Sequence, residues 1–180
     1  MRNLTFRYFT LRKKVLERLF REFSIDKDKA YLDTHSKRKP RPCGLTVHTG
    51  IGCPLSCIYC YIYDMGFEKK GETYPLNPAT LVYSVTLNPY ILLGLDGSFL
   101  ALGSVTEPLL KKTKKYTFEL IKLIRRYLCN PTQVSTKMVL SSDEIKYLHG
   151  IDSQLSILCT IVAYSSARKI EPLAPLSLIH

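Results

Sequence analysis

Three cysteines, Cys53, Cys57 and Cys60, lie within eight residues of one another in the run Gly-Cys-Pro-Leu-Ser-Cys-Ile-Tyr-Cys-Tyr. Spacings of four and three residues allow one short loop to wrap three thiolates around a corner of an iron-sulfur cluster, and Gly50 and Gly52 let the backbone turn there. A closed structural site normally has four protein ligands, so three thiolates leave one iron open to another ligand. The spacing therefore predicts an open, reactive iron-sulfur cluster.

Structural zinc is the main alternative interpretation of these cysteines, with Cys43 or His48 as the fourth ligand. Zinc sites favour paired Cys-x2-Cys knuckles, whereas the first spacing here has three intervening residues and no second pair follows it. Simple packing of the cysteines in the core is a further alternative. The remaining Cys129 and Cys159 are expected to be buried fillers, Cys159 within an apolar strand.

The length of 180 residues, with 46% hydrophobic and 23% charged residues, fits one globular domain with a sizeable core. The N-terminus interleaves basic and apolar residues and so lacks the pattern of a signal peptide. The most apolar stretch, residues 81–95, is too short and too polar to span a bilayer. These features predict a cytoplasmic protein without membrane association, whose reduced cysteines serve metals or packing rather than disulfides.

The net charge of +11 is concentrated near the N-terminus, where residues 1–43 hold thirteen basic and five acidic residues. Apolar residues from Leu11 to Phe23 recur at helical spacing, with Thr10 as the predicted cap, and residues 26–42 resemble a polar linker or arm. Residues 1–43 are therefore expected to form a basic helix and arm. Such a leader could attract nucleic acid or be a solvated basic surface.

Strand and helix patterns alternate through the remainder of the chain. Strands are predicted at residues 44–48, 98–102, 132–136 and 155–162, and helices at residues 78–87, 116–128 and 142–148. This order implies right-handed crossovers and a parallel sheet, so the fold class is α/β with about four βα units in residues 44–180. Parallel α/β folds place their sites at the carboxyl ends of the strands, where the cysteines fall.

The motif Cys-x3-Cys-x-Tyr-Cys after a strand and a glycine resembles the cluster motif of the radical S-adenosylmethionine (SAM) superfamily. Residues 48–61, 101–108, 135–137 and 171–175 are similar in order and spacing to its spore photoproduct lyase-like, or DNA repair photolyase, group. The resemblance implies a partial (βα) barrel of the radical SAM type. Because that core usually has six units, the chain is expected to be C-terminally truncated, or to need a partner chain that completes the barrel.

The resemblance also implies a 4Fe-4S cluster on Cys53, Cys57 and Cys60, with S-adenosylmethionine on the fourth iron as the source of a 5'-deoxyadenosyl radical. The activity it implies is that of a lyase-like enzyme, with nucleic acid as a candidate substrate and a ferredoxin or flavodoxin as electron donor. Residues 103–108 contain no counterpart of the lyase's hydrogen-returning cysteine. The alternative is a non-catalytic, truncated iron-sulfur or zinc-binding protein or subunit.

Five further residues receive roles from the same resemblance. Ser104, Thr106 and Glu107 would help to hold the methionyl amine, since a carboxylate suits an ammonium donor. Lys137 would meet the carboxylate of S-adenosylmethionine, and Tyr59 would shield the cluster or lie against the adenosyl group. A solvated glutamate in a turn and a surface lysine are the alternatives for Glu107 and Lys137.

Overall fold

The computed structural model describes residues 2–162 and 165–175, with side chains from residue 7 onward, as an α/β structure built on a four-stranded parallel sheet. Across this sheet the strands follow the order β1 (Leu45–Val47), β4 (Leu100–Leu102), β5 (Thr132–Thr136) and β6 (Ser156–Cys159). A small antiparallel pair consists of β2 (Gly50–Ile51) and β3 (Glu72–Thr73). The helices are α1 (Arg2–Glu22), α2 (Lys27–Leu32), α3 (Pro78–Leu87), α4 (Lys114–Leu123), α5 (Ser142–Ile151) and α6 (Ala167–Ile170).

The parallel sheet confirms the predicted α/β class, and α3 and β5 have the bounds predicted for them. β1 and β6 are the two edges of the sheet, so the described residues form an open sheet and not a closed barrel. Within the same residues, no helix has the length and apolar character that crossing a membrane requires.

Helix α3 is the centre of the core. Its first turn is fixed by Asn77, whose side chain accepts a bond from Thr80 N at 2.8 Å, and by Pro78 in the first turn, where the missing N–H costs nothing. Most of its residues are buried, because α1, α2 and α4 all pack against it. The residues of α3 are buried on several faces of the helix because the other helices pack against it from different sides.

The strands place alternate side chains in this core. Leu45 and Val47 of β1 and Leu100 and Leu102 of β4 are buried in the same apolar cluster as α3. The residues between them in β1 and β4 are only half-buried. The helices thus stabilise one face of the sheet, and the other face carries small or polar residues.

Residues 26–42, predicted as a linker or arm, instead begin with α2 and a 3-10 turn at Thr34–Ser36 that is anchored in the protein. The carboxylate of Asp33 accepts bonds from His35 Nδ1 at 2.7 Å, Tyr74 OH at 2.5 Å and Ser84 Oγ at 3.0 Å. His35 Nε2 in turn accepts from the backbone N–H of His48 at 3.1 Å. This network attaches the segment to α3 and to the end of β1, directly before the cysteine loop.

The pKa values in this network follow from burial and hydrogen bonding. Burial lowers the pKa of His35 and outweighs the opposing effect of Asp33, so the imidazole stays neutral and donates from Nδ1. Burial opposes ionisation of Asp33, yet bonds from His35 and Tyr74 hold the pKa of its carboxyl well below the ordinary range. Asp33 is therefore a buried carboxylate stabilised by its donors.

Predictions near both ends of the chain are wrong. α1 begins at Arg2, so Thr10 lies inside the helix and not at its cap. The strand predicted at residues 155–162 is shortened to β6. Its side chains are largely exposed, because β6 is an edge strand with no further strand beside it among the described residues. Cys159 is accordingly exposed rather than a buried filler, and Cys129 is half-buried.

We expect Asp33→Asn to lower the free energy of unfolding by about 2 kcal/mol at neutral pH, because bonds to a charged acceptor are stronger than bonds to a neutral one. The native pKa of Asp33 lies below the unfolded value of about 4, so this stabilisation is present above that pH and is lost as the pH falls. Urea denaturation at neutral pH and at about pH 3 measures both effects.

The matched control is Asp28→Asn, since Asp28 lies in α2 and is exposed. We expect little change in the free energy of unfolding for this variant. Two results would contradict the role assigned to the network. One is an equal decrease in the free energy of unfolding for the two variants, and the other is a decrease for Asp33→Asn that becomes larger at low pH.

Candidate functional site

The carboxyl ends of three strands meet at one cleft of about 90 Å³. The cysteine loop follows β1 and β2, residues 103–107 follow β4, and Lys137 follows β5. Seven of the eight residues singled out from the sequence line this cleft: Cys53, Cys57, Cys60, Ser104, Thr106, Glu107 and Lys137. The eighth, Tyr59, lies against Lys137, whose Nζ is 5.6 Å from the centre of its ring.

The path of the cysteine loop is set by its backbone. Gly52 has φ +72°, and a Cβ at this position would collide with the carbonyl oxygen of Lys70. The side chain of Tyr63 bridges two parts of the loop, because its hydroxyl donates to Cys53 O at 2.8 Å and accepts from Ser56 N at 3.0 Å. The positions of the thiols are thus fixed by bonds within the loop itself.

A second, smaller apolar cluster underlies the thiols. It consists of Cys53, Leu55, Cys57, Ile62, Val105 and Ala174. Burial in this cluster raises the pKa of Cys53 and Cys57, and the nearby Glu171 carboxylate raises that of Cys57 further. Both groups are therefore thiols in the protein as described, and a metal centre would have to displace their protons.

Thr106 and Ser104 differ in how their hydroxyls are used. Thr106 is buried and donates to Gly52 O at 2.6 Å, so it ties the end of β4 to the cysteine loop. The Ser104 hydroxyl is buried and has no hydrogen-bond partner among the described residues, while the Ser104 carbonyl accepts from Tyr61 OH at 2.9 Å. An unpaired buried hydroxyl at the cleft wall is a group that a ligand could satisfy.

Glu107 is a buried carboxylate with three protein donors. Its Oε1 accepts from Thr136 Oγ1 at 2.5 Å and from Leu109 N at 3.1 Å, and its Oε2 accepts from Lys137 N at 2.8 Å. Burial raises the pKa of Glu107, and these bonds oppose the rise. A carboxylate has about four acceptor sites, so one site on Oε2 remains for a donor in the cleft.

Glu171 is a site residue to which the sequence analysis gave no role. Its carboxylate is fully buried and accepts from Lys137 Nζ and from Tyr59 OH. Burial and the bond to Glu171 strongly raise the pKa of Tyr59, which therefore stays a phenol. The signal in the sequence was an isolated acid directly before a proline within the segment 171–175.

The fit of the thiols to a metal depends on the kind of centre. Within residues 2–162 and 165–175, no group of three His, Cys, Asp or Glu side chains is arranged to hold a metal ion. Three thiols nevertheless line one small cleft, and thiolates are the ligands that both zinc and iron-sulfur clusters take.

The fit of S-adenosylmethionine is limited by volume. Pockets for drug-sized ligands have volumes of roughly 300 Å³ or more, whereas this cleft has about 90 Å³. Polar side chains suited to an amino-acid group line the cleft, and an adenosyl group would have to extend beyond it. Ser104 forms a wall that the cleft shares with a larger groove of about 800 Å³.

Comparisons of the chain with protein-family models, with curated proteins and with solved structures found no significant match. The assignment of chemistry therefore depends on the residues of the cleft and on their geometry.

The ion pair of Lys137 and Glu171 gives a prediction about stability. Glu171→Gln leaves the ammonium of Lys137, 16% exposed, without its counter-charge, and we expect a loss of about 3 kcal/mol in the free energy of unfolding. In Lys137→Met/Glu171→Gln both charges are absent, so the double variant should lose less than the sum of the single losses. Urea denaturation of the single and double variants gives a coupling of about 2 kcal/mol if the pair forms.

Glu72→Gln is the control, because Glu72 pairs with Lys112 at an exposed position. That change is expected to affect stability far less than Glu171→Gln. Additive effects of the two substitutions at Lys137 and Glu171 would show that the buried pair does not form.

Proposed function

We propose that Cys53, Cys57 and Cys60 hold a 4Fe-4S cluster, that S-adenosylmethionine binds at its open iron, and that the chain is a radical SAM enzyme of the lyase-like type. The observation that carries this proposal is the meeting of three thiols with polar side chains from β4 and β5 in one cleft. When bound, the cluster and S-adenosylmethionine would supply a 5'-deoxyadenosyl radical.

The residues of the cleft have distinct parts in this proposal. The three thiols would lose their protons and become the cluster ligands, as metal binding requires. Glu107 would accept from the methionyl amine with its remaining acceptor site, and the unpaired hydroxyl of Ser104 would bond the same end of the molecule.

Thr106, Lys137 and Tyr59 act mainly by position. Thr106 fixes the cysteine loop through Gly52. Lys137 would place its ammonium near the carboxylate of S-adenosylmethionine. In the protein without this ligand, the bond to Glu171 holds the ammonium at the cleft. Tyr59 bonds Glu171 and lies against Lys137, and from there it would shield the cluster from solvent.

The partners remain proposals that the fold accommodates. Nucleic acid is the candidate substrate, and the basic charge of residues 1–43 agrees with it. A ferredoxin or flavodoxin would supply the reducing electron. The exposed edge strand β6 offers unpaired backbone groups to a partner chain that completes the sheet.

A non-catalytic iron-sulfur protein is the second candidate, and the small volume of the cleft favours it. If a cluster forms but no space opens for an adenosyl group, the centre would serve structure or electron transfer only. The two candidates differ in whether S-adenosylmethionine alters the cluster.

The test is anaerobic reconstitution with iron and sulfide, followed by reduction and electron paramagnetic resonance with and without S-adenosylmethionine. We expect a 4Fe-4S signal that changes on addition of S-adenosylmethionine, together with formation of 5'-deoxyadenosine. A signal that S-adenosylmethionine leaves unchanged supports a non-catalytic iron-sulfur protein. Uptake of zinc in place of iron would contradict the enzyme hypothesis and support a non-catalytic zinc-binding protein.

Cysteine variants locate the cluster. Cys57→Ser should lose the 4Fe-4S signal, because it removes one of three ligands, whereas Cys129→Ser should retain it, because Cys129 lies at the end of a π-helical turn outside the cleft. Iron content and the absorption spectrum after reconstitution measure both. Equal loss in the two variants would mean that the cluster is not bound at the cysteine loop.

A further inference from the structure

A groove of about 800 Å³ lies beside the cysteine cleft, between residues 38–46 and the end of the cysteine loop. It shares Ser104 with the cleft, and the hydroxyl of Tyr61, which lines the groove, donates to the carbonyl of Ser104 at 2.9 Å. Its volume is within the range of roughly 300–1,000 Å³ that holds a small organic ligand. The site described above does not use this groove.

All of the charged side chains that line the groove are basic. Arg38, Lys39 and Arg41 all line it, and none of its lining residues is acidic. Like charges gathered around a concave surface focus a positive potential into it. Such a groove favours an anion and disfavours a cation.

Arg38 is held ready for such a ligand. Its Nη1 donates to His48 Nε2 at 3.2 Å and its Nη2 donates to Thr46 O, so the guanidinium is fixed against β1. Burial lowers the pKa of His48 to about 3, so the imidazole is neutral and accepts from Arg38. His48 is neutral and brings no charge to this bond. The carboxylate of Asp33 acts on Arg38 electrostatically but does not line the groove, so the groove lining itself holds no acidic counter-charge.

The groove lining also includes apolar side chains. Tyr61, Met65 and Phe67 line it, and Tyr61 and Met65 are 55% and 60% exposed. Aromatic and thioether side chains that face a cavity suit a flat organic body. A groove lined by both basic and aromatic side chains suits a molecule with an anionic group on a planar frame.

We propose that this groove binds a small organic phosphate ester, with the phosphate against Arg38, Lys39 and Arg41 and the planar part against Tyr61, Met65 and Phe67. The arginine forks match phosphate geometry, and the groove volume of about 800 Å³ suits one small organic molecule. S-adenosylmethionine is excluded as its preferred occupant, because its sulfonium and ammonium outnumber its single carboxylate. Binding of the phosphate ester in the groove does not depend on the proposed radical SAM function. Only a role of this ester as the substrate of the enzyme rests on that function.

Cys43 provides a readout, because it is exposed and lines the groove, whereas Cys159 is exposed on β6 away from it. The cluster-free full-length chain is alkylated with N-ethylmaleimide at low ionic strength, and peptide mass spectrometry follows each cysteine. We expect phenyl phosphate to slow alkylation of Cys43 several-fold and to leave Cys159 unchanged. Inorganic phosphate should protect Cys43 less, and phenol should not protect it.

Variants separate the groove from general charge effects. Arg41→Gln removes an exposed cation of the groove and should abolish most of the protection, whereas Lys122→Gln removes a cation of α4 outside the groove and should retain it. Circular dichroism establishes that both variants fold.

Four outcomes would overturn the proposal. Absence of protection by phenyl phosphate, or equal loss of protection in both variants, would remove the anion site. Protection by S-adenosylmethionine as strong as that by phenyl phosphate would assign the groove to that molecule. Protection by an oligodeoxythymidylate without protection by phenyl phosphate would assign it to a nucleic-acid strand. None of these measurements depends on cluster formation, so the proposed function can fail while this inference holds.

Discussion

The buried carboxylate of Glu171 is the contact on which the geometry of the cleft depends. A fully buried carboxylate is costly unless it is bonded, and this one accepts from Lys137 and from Tyr59. Its two donors belong to the end of β5 and to the cysteine loop, so one acceptor draws three distant parts of the chain together. The ends of parallel strands supply the edge at which this can happen, and Thr106 adds a second tie between β4 and the loop.

Local signals made part of this fold predictable from the sequence. Helix α3 has its predicted bounds because Asn77 and Pro78 mark its start chemically, and β5 has its predicted bounds because its residues alternate in burial. One edge of the sheet holds the cysteines, Glu107 and Lys137. This was predictable because each of them comes directly after a strand, and the carboxyl ends of parallel strands lie at the same edge. The roles of those residues toward a cluster and S-adenosylmethionine remain proposals.

Tertiary contacts decided what the sequence could not show. Residues 26–42 look polar, yet His35 is buried and the side chain of Asp33 is only 9% exposed, because partners from α3 and from the region of β3 satisfy Asp33. Cys159 lies in an apolar run, yet it is exposed because no strand or helix covers β6 in the described part of the chain. The isolated acid before Pro172 did not reveal the role of Glu171, since that role depends on Tyr59, 112 residues earlier in the chain.

The long sequence separation of the Tyr59–Glu171 contact also sets an order of events. A chain synthesised from its N-terminus presents Tyr59 and the three thiols well before Glu171 has left the ribosome, and a contact over such a distance carries a large loop-closure cost. The cysteine loop can therefore fold against β4 while the side later occupied by Glu171 is still open. The proposed metal centre would reach the thiols with least obstruction in that interval, before residues 170–174 pack against the cysteine loop.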